Sequence, residues 1–189
     1  MHKKRVFSGV QPTGNLHLGH YVGTLENRLA LQDSYDCFFL IADLHMLTTH
    51  GDRVSELRDN IDELVIDWLS VGMDPNKSCF YLQSQIPEIT ELTVLISMLC
   101  SVSRVQRIPT LKEKISDLNL NENYSLGLLS YPVLMSSDIL IFNASKVPVG
   151  EDQLSHVELA RELARKFNSH YKEVFKEPEP LISKNSRLV

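Results

Sequence analysis

Two rhythms alternate along this 189-residue chain. Short apolar runs of strand length are separated by stretches whose apolar residues return every three or four positions, the spacing of a helix with one buried face. Residues 5–10 form the first short run, and Gln11-Pro12-Thr13-Gly14-Asn15 clusters turn formers directly behind it, ahead of a segment that can be helical. Residues 37–43 are almost continuously apolar, the pattern of a strand buried on both faces of a parallel sheet. Over 54–71, Leu57, Ile61, Leu64, Val65, Trp68 and Leu69 keep helical spacing until Gly72 and Pro75 end it, which assigns Trp68 to the core. A strand over 79–82, an apolar helix over 92–100, a short strand over 147–149 and a helix carrying Val157, Ala160, Leu163, Ala164 and Phe167 continue the series.

This βαβα alternation predicts an α/β fold: a mostly parallel sheet covered by helices, with its ligand site at the carboxyl ends of the strands. Two segments interrupt it. Residues 107–128 carry Lys112, Glu113, Lys114, Asp117, Asn119, Asn121, Glu122 and Asn123 and are expected to form a mobile flap or a helical excursion. Residues 177–189 have no clear period and two prolines, and are expected to be a loop entering a further region.

Composition narrows the class. A hydrophobic content of 43% supports a sizeable core and argues against disorder, and the length fits one domain, or one domain plus part of another. The apolar runs are far shorter than the ~20 residues that span a bilayer, and Met1-His2-Lys3-Lys4-Arg5 leads into no signal-peptide apolar region, so a soluble, cytoplasmic protein without membrane attachment is expected. Cys37, Cys79 and Cys100 are odd in number and far apart, which points to buried, reduced thiols. The net charge of -5 excludes a general electrostatic grip on nucleic acid, so any RNA contact must be local or made elsewhere.

Candidate chemistry concentrates in two strand-to-helix junctions. At Pro12-Thr13-Gly14-Asn15-Leu16-His17-Leu18-Gly19-His20, backbone N–H groups and the helix dipole favour anions, glycines admit close approach to the backbone, and His17 and His20 lie three residues apart on one helical face. A triphosphate fits such a junction; in isolation, glycines that only shape a turn and two surface histidines fit it equally well. No metal site is expected, because a catalytic zinc needs a third ligand and the nearest candidates, Asp43 and His45, come from another strand end. The second junction is Val147-Pro148-Val149-Gly150-Glu151-Asp152-Gln153, whose carboxylates would by themselves read as helix caps. Between the two lies Tyr131-Pro132-Val133-Leu134-Met135-Ser136-Ser137-Asp138-Ile139-Leu140, in which Asp138 has apolar helical neighbours and, if buried, needs a hydrogen-bond donor.

Pro-Thr-Gly-Asn-Leu-His-Leu-Gly-His resembles the His-Ile-Gly-His signature of class I aminoacyl-tRNA synthetases, with Leu18 in place of isoleucine. Together with the Gly150-Glu151-Asp152-Gln153 segment, the Tyr131 to Leu140 stretch, Thr110-Leu111-Lys112-Glu113-Lys114 and Phe167-Asn168, the chain is similar over essentially its whole length to tryptophanyl-tRNA synthetases. The resemblance implies a Rossmann-like, doubly wound parallel sheet with helices on both faces. It also implies activation of L-tryptophan with ATP, delivered as its Mg2+ complex, and transfer of the tryptophanyl group to tRNA(Trp) by a homodimer. It implies ATP contacts at Gln11, Pro12, Thr13, Gly19, His20, Gly150, Glu151, Asp152 and Leu188, with catalytic roles for His17, His20 and Thr13. For tryptophan it implies Asp138 as acceptor of the indole N–H, Tyr131 and Gln153 as holders of the ammonium group, and Phe7, Met135, Ile139, Val147 and Val149 as apolar walls.

One family element is missing: residues 1–189 contain no Lys-Met-Ser-Lys-Ser loop, and the chain stops about where the family continues toward it and toward the helical anticodon-binding domain. The 189 residues are therefore expected to be one nucleotide-binding catalytic domain that binds its substrates better than it turns them over. The alternatives are a tyrosyl-type synthetase, against which the Gly-Glu-Asp-Gln segment argues, and a non-catalytic domain that binds tryptophan or a nucleotide.

Overall fold

Strand β1 (Arg5–Val10) is the axis about which the chain is arranged in the computed structural model, which describes residues 3–14, 16–121 and 123–182. Helix α1 (Leu18–His20) follows it, widens into a π turn over Tyr21–Leu25 and runs on as α2 (Glu26–Gln32). Strand β2 (Asp36–Ile41), helices α3 (Asp43–Thr49) and α4 (Leu57–Ser70) and strand β3 (Ser78–Leu82) come next. A helical stretch then supplies α5 (Pro87–Ser97), α6 (Val102–Val105), α7 (Pro109–Asp117) and α8 (Leu126–Ile141). Strand β4 (Lys146–Val149), helix α9 (Leu154–His170) and strand β5 (Glu179–Ile182) complete the described part.

Among the described residues the five strands are all parallel, in the order β3-β2-β1-β4-β5. From β1 the chain winds outward through β2 and β3, then returns to lay β4 against the other side of β1. The winding direction thus reverses between β1 and β4, the switch point at which open α/β sheets form their ligand crevice. β1 pairs with β2 from Arg5↔Asp36 to Val10↔Ile41, and with β4 at Val6↔Lys146.

Strand periodicity sends alternate side chains to opposite faces. Val6, Cys37, Phe39 and Ile41 point to the face covered by Leu25, Leu64 and Trp68, while Phe7 and Leu40 point to the face covered by Ile139, Val157 and Ala160. Trp68 is fully buried and meets Phe80 edge-on at 5.5 Å between ring centroids, so it belongs to the core as its spacing predicts. A further apolar cluster around Ile108, Leu111, Leu128, Leu140 and Leu163 ties α7, α8 and α9 together. Among the described residues no helix is long and apolar enough to cross a membrane.

One open expectation is decided and two are corrected. Residues 109–117 are a helix anchored by the fully buried Leu111, so the polar stretch is the helical excursion and not the flap; Asn119 and Asn121, at φ of 52° and 49°, turn the chain out of it. Residues 179–182 form an edge strand, where Pro180, which has no N–H to donate, is tolerated opposite Val147. The cysteines are free, but only Cys37 is buried; Cys79 is exposed because β3 is the other edge of the sheet.

Candidate active site

The two loops singled out in the sequence leave the carboxyl ends of neighbouring strands, Gln11 after β1 and Gly150 after β4, on either side of the switch point. In the first loop Gly14 takes a φ of 129°, open to glycine and strained for any other residue. His17 is the N-cap of α1, one position outside the helix face on which the spacing put it. Its Nδ1 accepts from the Gly19 N–H (3.1 Å), and its own N–H donates to His20 Nδ1 (3.2 Å), with the two rings 4.0 Å apart. With both Nδ1 atoms engaged as acceptors, each neutral ring carries its proton on Nε2, so the loop presents two N–H donors side by side. Burial and the neighbouring His17 lower the His20 pKa, which favours that neutral form.

Beneath the same loop Arg28 is almost fully buried. Its Nε and Nη2 donate to Ser8 Oγ (3.2 and 2.9 Å), Nη2 also donates to the Gly9 carbonyl (3.1 Å), and its guanidinium lies over Phe39 and Trp68. Burial brings its pKa down to about 10, still above neutrality. A small cavity of about 60 Å³ beside it is bounded by Ser8, Thr24, Asn27, Val149 and Gly150.

A larger cavity of about 230 Å³ opens at the carboxyl ends of β1 and β2, somewhat below the ~300–1,000 Å³ typical of small-molecule sites. Phe7, Gly9, Leu40 and Ala42 supply its apolar floor, and Tyr131, Met135 and Asp138 of α8 form one wall. His45, Thr110, Lys114, Gln11 and Gln153 add polar groups around it. Helix α8 can carry a carboxylate here because it is apolar nearly all round and packs against both α5 and α9.

Asp138 is wholly buried, and burial pushes its carboxyl above the usual carboxylate range, against the opposing pull of its donors. Gln83 Nε2 donates to both oxygens (2.9 and 3.0 Å), and His45 Nε2 lies 2.8 Å from Oδ2. Gln83 is itself oriented by the His45 backbone N–H, which donates to its Oε1 at 3.3 Å. A carboxylate offers about four lone-pair sites, so Asp138 retains acceptor capacity on its cavity side.

Of the residues singled out in the sequence, the fold brings Phe7, Gln11, Tyr131, Met135, Asp138 and Gln153 to this one cavity. Val149 and Gly150 border the small cavity beside Arg28. Ile139 and Val147 are buried in the core behind Phe7 and do not reach either space. Glu151 and Asp152 are exposed in the turn before α9, with Gln153 Nε2 donating to Asp152 Oδ2 at 2.5 Å. Thr13 is exposed, Pro12 is buried beside it, Gly19 is half-buried, and Leu188 lies outside the described residues. Sequence reasoning missed Gln83, Arg28 and His156; His45, at the end of its strand, reads from the sequence equally as a residue facing the site and as a structural histidine. Gln83 follows β3 directly, so its position past a strand end was the available signal; nothing in the sequence marks His156, whose neighbours come from two other helices.

The sequence model of the family described as tRNA synthetases class I (W and Y) matches residues 1–189. The chain is 55% identical over 192 aligned residues to tryptophan–tRNA ligase from Chlamydia caviae and 51% identical over 185 to that from Thermotoga maritima. These alignments cover 99% and 97% of the chain but 56% of each relative, so the chain spans little more than half their length. Among solved structures, tryptophanyl-tRNA synthetase from Campylobacter jejuni complexed with ADP and tryptophan superposes with a TM-score of 0.87 at 38% identity, covering 95% of this chain and 55% of that one. A tyrosyl-tRNA synthetase from Archaeoglobus fulgidus, at 20% identity and a TM-score of 0.80 over 97% of this chain and 55% of that one, shares the fold.

Proposed function

Because the chain belongs to the class I tRNA synthetases of the tryptophan and tyrosine group, we propose that it is the part of a tryptophan–tRNA ligase that binds and activates the amino acid. The observation that carries this reading is a wholly buried aspartate, Asp138, with spare acceptor capacity beside an otherwise apolar cavity wall of Phe7, Leu40 and Met135. An indole is a flat apolar body with a single N–H donor. A site built around such an acceptor rejects ligands lacking the donor far better than an apolar slot rejects a change of size. Gln83 and His45 support the carboxylate from the protein side, and Tyr131 and Gln153 receive the ammonium group.

ATP enters as its Mg2+ complex along the first loop. The Nε2–H groups of His17 and His20, the backbone past Gln11, Pro12 and Thr13, and the close approach allowed by Gly19 face the phosphates, while Gly150, Glu151 and Asp152 meet adenosine and ribose. An oxygen of the tryptophan carboxylate attacks the α-phosphorus, the bond to the bridging oxygen breaks, and pyrophosphate leaves. No covalent protein nucleophile is needed: alignment of the two substrates and donors aimed at developing phosphate charge supply the rate. A hydroxyl of the terminal ribose of tRNA(Trp) then attacks the adenylate's carbonyl carbon in the cytoplasm, the bond to the phosphate oxygen breaks and AMP leaves, the full reaction being that of tryptophan–tRNA ligases of the length of its relatives.

The protein acts as a homodimer. Val94 and Leu95 of α5, Met98 beyond its end and Val102 of α6 are all more than half exposed, an apolar surface of the kind subunit contacts cover.

The test is a calorimetric titration of L-tryptophan and L-tyrosine into this chain, alone and as Asp138→Asn. Saturable binding of tryptophan, little of tyrosine and a large loss in the variant are expected. A higher affinity for tyrosine would sink the reading.

A further inference from the structure

The proposed chemistry leaves His156 without a task, although it is among the most buried polar side chains, 1% exposed. It lies in the first turn of α9. Its Nε2 is 2.6 Å from Thr110 Oγ1 of α7 and 3.4 Å from the Tyr131 hydroxyl of α8, and those two oxygens are 3.2 Å apart. Three polar groups from three helices thus close a triangle behind the cavity that Thr110 and Tyr131 line. His156 Nδ1 is buried and has no hydrogen-bond partner among the described residues. Nδ1 is therefore unmatched in the charged ring and in either neutral tautomer, and it is the cost of burying a charge that holds the ring neutral. Burial, with His45 and Lys114 nearby, lowers its pKa to about 4 in the same sense, against a smaller opposing pull from Asp152.

We propose that His156 is a positioning residue for the ammonium group of the amino acid: through Thr110 it keeps the Tyr131 proton turned into the protein and the Tyr131 lone pair turned to the cavity. The inference rests on the reading of Tyr131 as an ammonium contact. An ammonium group only donates, so a tyrosine oxygen that meets it must accept, and the tyrosine's own proton must go elsewhere. Thr110 Oγ1 and His156 Nε2 are the acceptors in reach. Thr110 receives that proton well only if its own hydroxyl hydrogen goes to another acceptor, and His156 Nε2 at 2.6 Å is that acceptor. The chain therefore runs from the Tyr131 O–H to Thr110 Oγ1, and from the Thr110 O–H to an unprotonated ring nitrogen. The opposite polarity, with the proton on Nε2, would leave the Tyr131 hydrogen pointing at the cation. A bound ammonium favours the neutral tautomer with Nε2 unprotonated and the ring proton on Nδ1; conversion from the other tautomer breaks the Nε2–H bond and forms the Nδ1–H bond, with solvent carrying the proton.

The experiment compares L-tryptophan with indole-3-propionate, which keeps the ring and the carboxylate and lacks the ammonium. Both are titrated into the 189-residue chain and its His156→Phe, His156→Gln and Thr110→Val variants. Glutamine offers an amide oxygen near the position of Nε2. His156→Phe and Thr110→Val are expected to weaken L-tryptophan about tenfold or more, the scale of a hydrogen bond to a charged group. Indole-3-propionate should stay within about twofold, and His156→Gln should recover most of the loss. If His156→Phe does not fold, Thr110→Val and His156→Gln carry the comparison. Equal weakening of both ligands would assign His156 to packing alone and overturn the inference, as would no weakening of either. An unaltered chain that binds both ligands equally, or neither, would overturn the ammonium reading itself, and the inference with it.

Discussion

Asp138 and His156 are both buried titratable side chains, and their environments act on them in opposite directions with respect to stability. His156 has an ordinary value near 6.5 and a folded value of about 4, so between those limits the unfolded chain takes up a proton that the native chain does not. Its contribution therefore lowers stability as pH falls from 6.5 toward 4, by up to roughly 1.4 kcal/mol per pH unit across that window. Asp138 has a raised folded value, so the native chain binds its proton more readily, and that contribution falls away as pH rises through the folded value. Urea denaturation of the unaltered chain and of His156→Gln at neutral pH and at about pH 5 separates the two: the variant should show the shallower loss on acidification. A parallel loss in both would place the acid sensitivity elsewhere. Asp138→Asn keeps one acceptor oxygen and removes the charge, and a loss of about tenfold or more in tryptophan affinity is expected by calorimetry. Asp138 was legible in the sequence because an aspartate amid Leu134, Met135, Ile139 and Leu140 needs a reason to be there. Its partners were not, since Gln83 and His45 reach it from 55 and 93 positions away.

At the scale of elements, strands were easier to read than the helical stretch between β3 and β4. The buried runs of β1 and β2 are apolar on both faces, a pattern few other structures share. Helix α7 shows polar residues along most of its length; Ile108, Leu111 and Ile115, three and four positions apart, hold it against α8 and α9, a period easily lost among the charges around them. β5 was missed for a related reason: four residues with a proline inside give no alternation to read. Because α7 is anchored, its amide hydrogens should exchange far more slowly than those of the turn after it, and mass-spectrometric hydrogen exchange checks this. Exchange as fast as that of an open loop would restore the flap reading. Leu111→Ala should cost ~2–5 kcal/mol of unfolding free energy. Much of that penalty should appear as looser cover over the cavity, since Thr110 and Lys114 ride on the same helix.

For the molecule as a whole, the order β3-β2-β1-β4-β5 decides where chemistry can occur, because it sets the Gln11 and Gly150 loops beside each other although 138 residues separate them in sequence. The alternation of strands and helices gives the layers and the position of the crevice; it does not say which faces remain open. The apolar surface over α5 and α6 is such a face, since Ile89 and Ile96 fill the core while Val94, Leu95 and Met98 stay outside. Leu95→Lys combined with Met98→Lys is expected to halve the mass measured by light scattering while leaving the far-ultraviolet dichroism unchanged. An unchanged mass would move the subunit contact to another surface.

Arg28 has a further consequence, in kinetics. The chain carries a net charge of -5 and, taken as a sphere, repels the polyanion it is proposed to bind. A permanent cation lodged under the first loop lies inside low-dielectric material, where mobile ions screen it poorly, and its field emerges through the loop. At short range a triphosphate approaching that face is attracted by this cation whatever the sign of the net charge. The capture rate should consequently depend little on added salt, although the protein's net charge alone would predict capture that speeds up as salt is added.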